Sequence, residues 1–290
     1  MSFDNMPVLG PMMMPGANEY AAECLRRARL AVAGHRVRMD IPYGPDPFQQ
    51  LDLWLPPGPA AAPLPVVIFI HGGAMRNGFK EWIGCMAPAV CALPAILVSP
   101  NYRLVPRVRN VDALADCLAA LAWVHANIAA EGGDPDRLYL GGHSAGGYLA
   151  ALMTLRKPDL TRHGIAEAAI RACLPVSGLF TFEKRDILPQ DVLRTRFWDE
   201  MIASEAEAAA LTAYNFVAGN RVPFLLAHGE REPADILNDN ARMVELARRH
   251  GFLREHRVFP GADHFAAHLA CAEPDGAWLR AVAGLVRGRS

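Results

Sequence analysis

The pentapeptide Gly142-His143-Ser144-Ala145-Gly146 sets a serine between glycines, with Gly147 directly behind. It follows the apolar run Leu138-Tyr139-Leu140 and precedes a helix-like stretch over residues 148–155. A G-x-S-x-G between a strand and a helix is the pattern of a nucleophile elbow. Such a turn leaves room only for small residues beside the nucleophile and lifts the hydroxyl clear of the backbone. A hydroxyl is a weak nucleophile until a base takes its proton. Ser144 therefore calls for a histidine, an acid to orient it and donors for a developing oxyanion.

The base is expected on a loop after the last strand. His264, in Gly261-Ala262-Asp263-His264-Phe265, follows the strand-like residues 256–259 and meets this requirement. His268, one helical turn on, is the competitor and reads better as a structural histidine. The acid is expected after the apolar run at 224–227, where His228-Gly229-Glu230-Arg231-Glu232-Pro233-Ala234-Asp235 holds three carboxylates. Glu232, three residues past the turn glycine, is the first choice. Asp235 also suits an N-cap, and Glu230 suits a solvated or arginine-paired position. The oxyanion donors are expected at Gly72 and Gly73 of His71-Gly72-Gly73-Ala74, where no side chain hinders the backbone N–H groups, and at Ala145, next after the nucleophile. His71 itself reads as a brace for that loop.

The elements that would carry these residues alternate between short apolar runs and helix-like stretches. Runs at 66–70, 95–98, 138–140, 172–176 and 224–227, and a less apolar one at 256–259, have the texture of strands buried on both faces. Helix-like stretches cover 81–92, 111–130, 148–155, 237–250 and 265–286. This βα alternation predicts an α/β fold with a doubly wound, mostly parallel sheet and helices on both faces. Before it, residues 19–33 read as an amphipathic helix, and 35–41 with 50–55 as an alternating hairpin. Residues 1–34 then form an arm and a helix, and 35–290 a single domain. The long aromatic stretch 180–214 breaks the rhythm and reads as a cap-like pocket wall, with Phe182, Phe197 and Trp198, and Met75 of the glycine loop, as pocket residues.

The 290 residues carry 52% hydrophobic and 20% charged side chains and a net charge of −1, which gives no basic footprint for nucleic acid. Six cysteines (24, 85, 91, 117, 173, 271) lack paired spacing and read as buried thiols of a reducing, cytoplasmic setting. No basic leader and no uninterrupted apolar run of membrane-spanning length is expected, so no membrane partner is. The Met12-Met13-Met14 arm reads as loosely packed. Homodimerisation is left open.

The segments His71-Gly72-Gly73-Ala74-Met75-Arg76-Asn77-Gly78, Asn101-Tyr102-Arg103-Leu104-Val105-Pro106 and Gly142 to Gly147, with Gln50-Leu51-Asp52-Leu53-Trp54-Leu55-Pro56, resemble the hormone-sensitive-lipase-like and kynurenine-formamidase-like, BD-FAE-type branch of the α/β-hydrolases. The likeness runs over most of residues 50–286. It implies an α/β-hydrolase fold with chain order nucleophile Ser144, acid Glu232, base His264. It also implies a serine hydrolase that needs no metal or organic cofactor and cleaves a small carboxylic ester or an aryl or formyl amide. Met75 stands where the formamidase-like pattern HGG-x-W has tryptophan, and Glu232 where aspartate is more frequent. Two other readings are a binding protein on the same fold and a metal hydrolase built on His71 and His143.

Overall fold

Each central strand is a run of β-branched and large apolar residues, and alternate side chains go to opposite faces. In residues 64–70, Val66, Ile68 and Ile70 enter one core and Val67 and Phe69 the other. The computed structural model describes residues 14–58 and 60–287, together with 3, 6, 7 and 12. Its strands are β1 (Arg36–Pro42), β2 (Gln50–Leu55), β3 (Leu64–Ile70), β4 (Ile96–Pro100), β5 (Gly133–His143), β6 (Ile170–Val176), β7 (Phe224–Gly229) and β8 (Leu253–Phe259). They form one eight-stranded sheet in the order β1-β2-β4-β3-β5-β6-β7-β8. β2 is antiparallel to both β1 and β4, and all other pairs are parallel.

The helices are α1 (Ala17–Val32), α2 (Ala87–Cys91), α3 (Asn110–Asn127), α4 (Ala145–Leu155), α5 (Lys157–Arg162), α6 (Val192–Met201), α7 (Glu205–Ala210), α8 (Ala234–Arg249), α9 (His264–Cys271) and α10 (Ala277–Val286). Leu114 and Leu121 of α3, Leu149 of α4 and Met243 of α8 pack in one core, and Cys24 of α1, Val90 of α2 and Trp278 of α10 in the other. Both faces of the sheet are therefore covered, as a parallel sheet requires. Burial of each such side chain stabilises the fold by about 1.5–3 kcal/mol.

Three expected elements differ. Residues 81–92 begin as a 3-10 helix (Lys80–Met86) and only then become α2. Pro88 near the start of α2 has no N–H for a longer α-helical ladder. Gly84 lies so close to α1 that a Cβ there would strike Trp54 and Ala28. Residues 265–286 are two helices, broken at Pro274-Asp275-Gly276, where the Gly276 amide turns back to the Glu273 carbonyl at 2.9 Å. The stretch 180–214, expected as a pocket wall, contains α6 and α7.

The helical segment Asn110–Glu131 is long and apolar enough, by length and composition, to cross a membrane. Asp112 and Asp116 interrupt its apolar run, and half of it is buried against the rest of the chain. All six cysteines are buried and unbridged. Of the methionine arm, Met12 packs on the second core and Met14 is partly exposed. Met13 lies outside the described residues.

Candidate active site

Ser144 sits between β5 and α4 with φ 56° and ψ −119°. A non-glycine residue holds such a backbone only where its surroundings force it. The surroundings here are glycines. A Cβ at Gly146 would collide with the Ile70 carbonyl, and one at Gly142 with the backbone of Gly146. The Ser144 amide donates to the Val176 carbonyl at the end of β6 (2.8 Å). The pattern continues across the sheet: the Ser177 amide donates to Ala227 of β7 (2.8 Å), and the Glu230 amide to Phe259 of β8 (3.0 Å). Each strand end is thus tied to the end of the next.

The loops beyond β7 and β8 bring Glu232 and His264 together. His264 Nδ1 lies 2.7 Å from Glu232 Oε2, and both residues are buried. Glu232 Oε1 accepts from the Gly229 amide (3.2 Å) and from the Ser177 hydroxyl. Burial pushes this carboxyl up, but the His264 hydrogen bond and charge, the Ser177 hydroxyl and the Gly229 amide outweigh it. The carboxyl therefore titrates below its ordinary range. Ser177 holds a left-handed φ of 52° in this role, and nothing in its sequence setting marked it.

The structure brings Glu232, not Asp235 or Glu230, to His264. Asp235 lies in the first turn of α8, after Pro233 at the N-cap. Glu230 accepts from the Gly261 amide (2.7 Å). His268 accepts a hydrogen bond from, or donates one to, the Tyr20 hydroxyl (2.8 Å, at Nδ1) and stacks on Phe69 inside the core.

His143, the variable residue of the elbow motif, reaches across to the base. Its Nε2 donates to the His264 carbonyl (2.9 Å), and the two rings lie 4.5 Å apart. Burial, and then the neighbouring His264 and His268, hold it neutral by lowering its pKa. The contact fixes His264 beside the elbow. His71 donates from Nδ1 to the Gly72 carbonyl (2.8 Å) and stacks on Tyr102 at 4.4 Å. Burial lowers its pKa to about 4. It braces the glycine loop, as expected. Among the described residues, the group with metal-ligating proximity is Cys24, Cys85 and His268.

Gly72 lies against the elbow: a Cβ there would be 2.8 Å from the His143 carbonyl and 3.0 Å from Ser144 Cβ. Gly73 has φ +113° and accepts amides of Arg76 and Asn77 (3.0 and 2.9 Å), closing a tight loop. Ala74 and Met75 are also left-handed (φ 59° and 60°), and the Met75 carbonyl accepts from Val105 (2.8 Å). This loop, Ala145 and Ser144 form one wall of a narrow apolar cleft of about 20 Å³. Tyr148, Leu179, Phe182, Leu193, Arg194 and Met201 form the rest.

Of the four expected pocket residues, Met75 and Phe182 line the cleft and Phe197 and Trp198 do not. Trp198 faces inward and donates from Nε1 to the Phe182 carbonyl (2.8 Å), so it supports the cleft wall from behind. Phe197, on the next position of α6, lies under the Arg76 guanidinium at 4.2 Å. A larger hollow of about 350 Å³, lined by Arg36, Leu55, Leu64 and Glu131, opens at the opposite strand ends. Its one carboxylate, Glu131, is paired with Arg38, and no serine, cysteine or histidine lines it among the described residues, so it is not the active-site candidate.

A family model, BD-FAE, matches residues 51–242, which carry the glycine loop, the elbow and Glu232 and stop before His264. The chain belongs to the BD-FAE family. Its fold is that of the α/β-hydrolases. Esterase LipQ of Mycobacterium tuberculosis is 34% identical over 211 residues, 67% of this chain and 48% of LipQ. The probable isoprenylcysteine alpha-carbonyl methylesterase ICMEL1 of Arabidopsis thaliana is 39% identical over 115 residues, 40% of this chain and 24% of that relative. This BD-FAE chain spans about half or less of the length of these two relatives. Among solved structures, esterase B of Lactobacillus rhamnosis superposes with a TM-score of 0.75 at 19% identity, covering 95% of this chain and 98% of its own, and so shares the fold.

Proposed function

We propose that the protein is a serine carboxylesterase acting on esters with a short acyl chain. The observation that carries this is the His264–Glu232 pair at 2.7 Å, tied through the His264 carbonyl to His143 of the elbow, whose serine backbone is forced to φ 56°. With Nδ1 committed to the carboxylate, His264 keeps Nε2 to take the Ser144 proton. Ser144 Oγ attacks the ester carbonyl, and the backbone N–H groups of Gly72, Gly73 and Ala145 receive the oxyanion. Each such donor contributes about 3 kcal/mol in the transition state. The protonated His264 then gives its proton to the leaving alkoxide, the C–O bond breaks and an acyl-Ser144 remains. Water, deprotonated by His264, hydrolyses it and restores the serine.

The enclosed part of the cleft is narrow, about 20 Å³, which favours short acyl chains. The same narrowness supports a second reading, an arylformamidase-like activity on N-formyl aryl amides, because formyl is the smallest acyl group. A fluorophosphonate probe should label the protein at Ser144 and leave Ser144→Ala unlabelled. Turnover of p-nitrophenyl esters should fall steeply with acyl length. N-formylkynurenine assayed alongside separates the two readings. Labelling that survives Ser144→Ala would remove both.

A further inference from the structure

Arg194 of α6 is buried, with its side chain 1% exposed, and lines the cleft together with Ser144. Its structural bonds use two of its three nitrogens. Nε pairs with Asp191, and Nη1 donates to the Thr181 carbonyl (2.9 Å) and to Asp239 Oδ2 (2.8 Å). Nη2 is buried and has no hydrogen-bond partner among the described residues. A buried donor left unmade is costly, more so on a charged group. Among the other cleft side chains, Met75, Leu179, Phe182, Leu193 and Met201 are apolar, the Tyr148 hydroxyl is spent on the Leu211 carbonyl (2.7 Å), and the Ser144 hydroxyl makes no hydrogen bond to Nη2.

The charge around Arg194 limits what can bind there. One guanidinium faces two buried carboxylates, Asp191 and Asp239, with side chains 1% and 2% exposed. Asp235 lies near the same group. The cluster is net negative, so an entering carboxylate would find its attraction to Arg194 already cancelled. A neutral acceptor gains the Nη2 hydrogen bond without that repulsion.

We infer that Arg194 is an acyl-side specificity residue, whose Nη2 donates to a neutral ether, keto or hydroxyl oxygen carried by a short acyl chain. This rests on the esterase reading and narrows it to oxygen-bearing short-chain esters. The probes are isosteric p-nitrophenyl esters: methoxyacetate against butyrate, and 3-methoxypropanoate against pentanoate. Each kcat/KM is divided by the ester's own hydroxide-catalysed rate. At least one ether ester should then exceed its all-carbon isostere by about tenfold, the worth of one buried hydrogen bond to a charged group. In Arg194→Lys, which keeps the charge between the two aspartates, that ratio should drop below about twofold.

The inference is overturned if neither ether ester gains in the wild type, or if the gain survives in Arg194→Lys. It is also overturned if the p-nitrophenyl hemisuccinate gains more than both ethers, since that would mark an anion site. If Arg194→Lys does not fold, the wild-type ratios decide alone. Failure of the esterase reading looks different: no ester is turned over and the fluorophosphonate leaves Ser144 unlabelled.

Discussion

The acid corner and the cleft wall sit a few residues apart in space and are built on opposite principles. At the acid corner, Glu232 is held by His264, the Ser177 hydroxyl and the Gly229 amide, and all of these groups come from strand ends or the loops just after them. In the cleft wall, Leu193, Arg194 and Met201 come from α6, part of a long connection between β6 and β7. Polar geometry fixes the first, so removing one atom should change the chemistry. Apolar packing shapes the second, so substitutions there should change which acyl group fits.

The largest expected effect is at the acid. Glu232→Gln keeps the size of the side chain but loses the charge that orients and stabilises protonated His264, and kcat should fall by about 10³–10⁴. Asp235→Asn should change it less than about threefold. Equal losses in steady-state assays of the two variants would dissolve the distinction between the carboxylates. Next is Ser177→Ala, which removes one donor from Glu232 and should lower kcat by about tenfold. Glu232 stabilises the fold above the ordinary glutamate range, and that contribution is lost as pH falls through its depressed pKa. Ser177→Ala should raise that pKa, so thermal melts between pH 3 and 6 should show a smaller acid-dependent loss from this site.

His71 gives a stability effect of the same sign over a different pH range. Its pKa falls from 6.5 to about 4 on folding because burial disfavours the charged ring. The unfolded chain therefore binds the extra proton first, and stability drops as pH falls from 6.5 towards 4, by roughly 3 kcal/mol from this residue. His71→Asn should flatten that part of the denaturation profile. An unchanged profile would mean that His71 is not buried neutral. The smallest effects are at the cleft. Met75→Ala and Phe182→Ala should raise KM for short-chain esters by about three- to tenfold. Phe197→Ala, outside the cleft, should leave it within about twofold. A Phe197 effect as large as that of Phe182 would redraw the wall.

The sequence made the sheet legible because each buried strand is a short apolar run closed by glycine or proline. It made Ser144, His264 and the glycine loop legible because tight turns admit few residue types. Choosing between Glu232 and Asp235 was harder, because three carboxylates share one loop and spacing alone does not say which faces the histidine. Ser177 and His143 carried no sequence signal: a serine after a strand and a variable motif position acquire their partners only when β5, β6, β7 and β8 come together. Aromatic content pointed to Phe197 and Trp198, but α6 turns Trp198 inward and Phe197 towards Arg76. Trp198 then backs the cleft wall and Phe197 lies outside it. Arg194 was hidden for the same reason: a buried arginine with an idle nitrogen has no one-dimensional signature.

The ties from Ser144 to Val176, Ser177 to Ala227 and Glu230 to Phe259 refer the ends of β5, β6 and β7 each to the next strand and none of them to α6 or α7. Residues 179–223 can thus be lengthened, shortened or replaced while nucleophile, acid and base keep their mutual spacing. Reaction and substrate range are then separable heritable traits, and a grafted connection between β6 and β7 is the place to exchange one without the other.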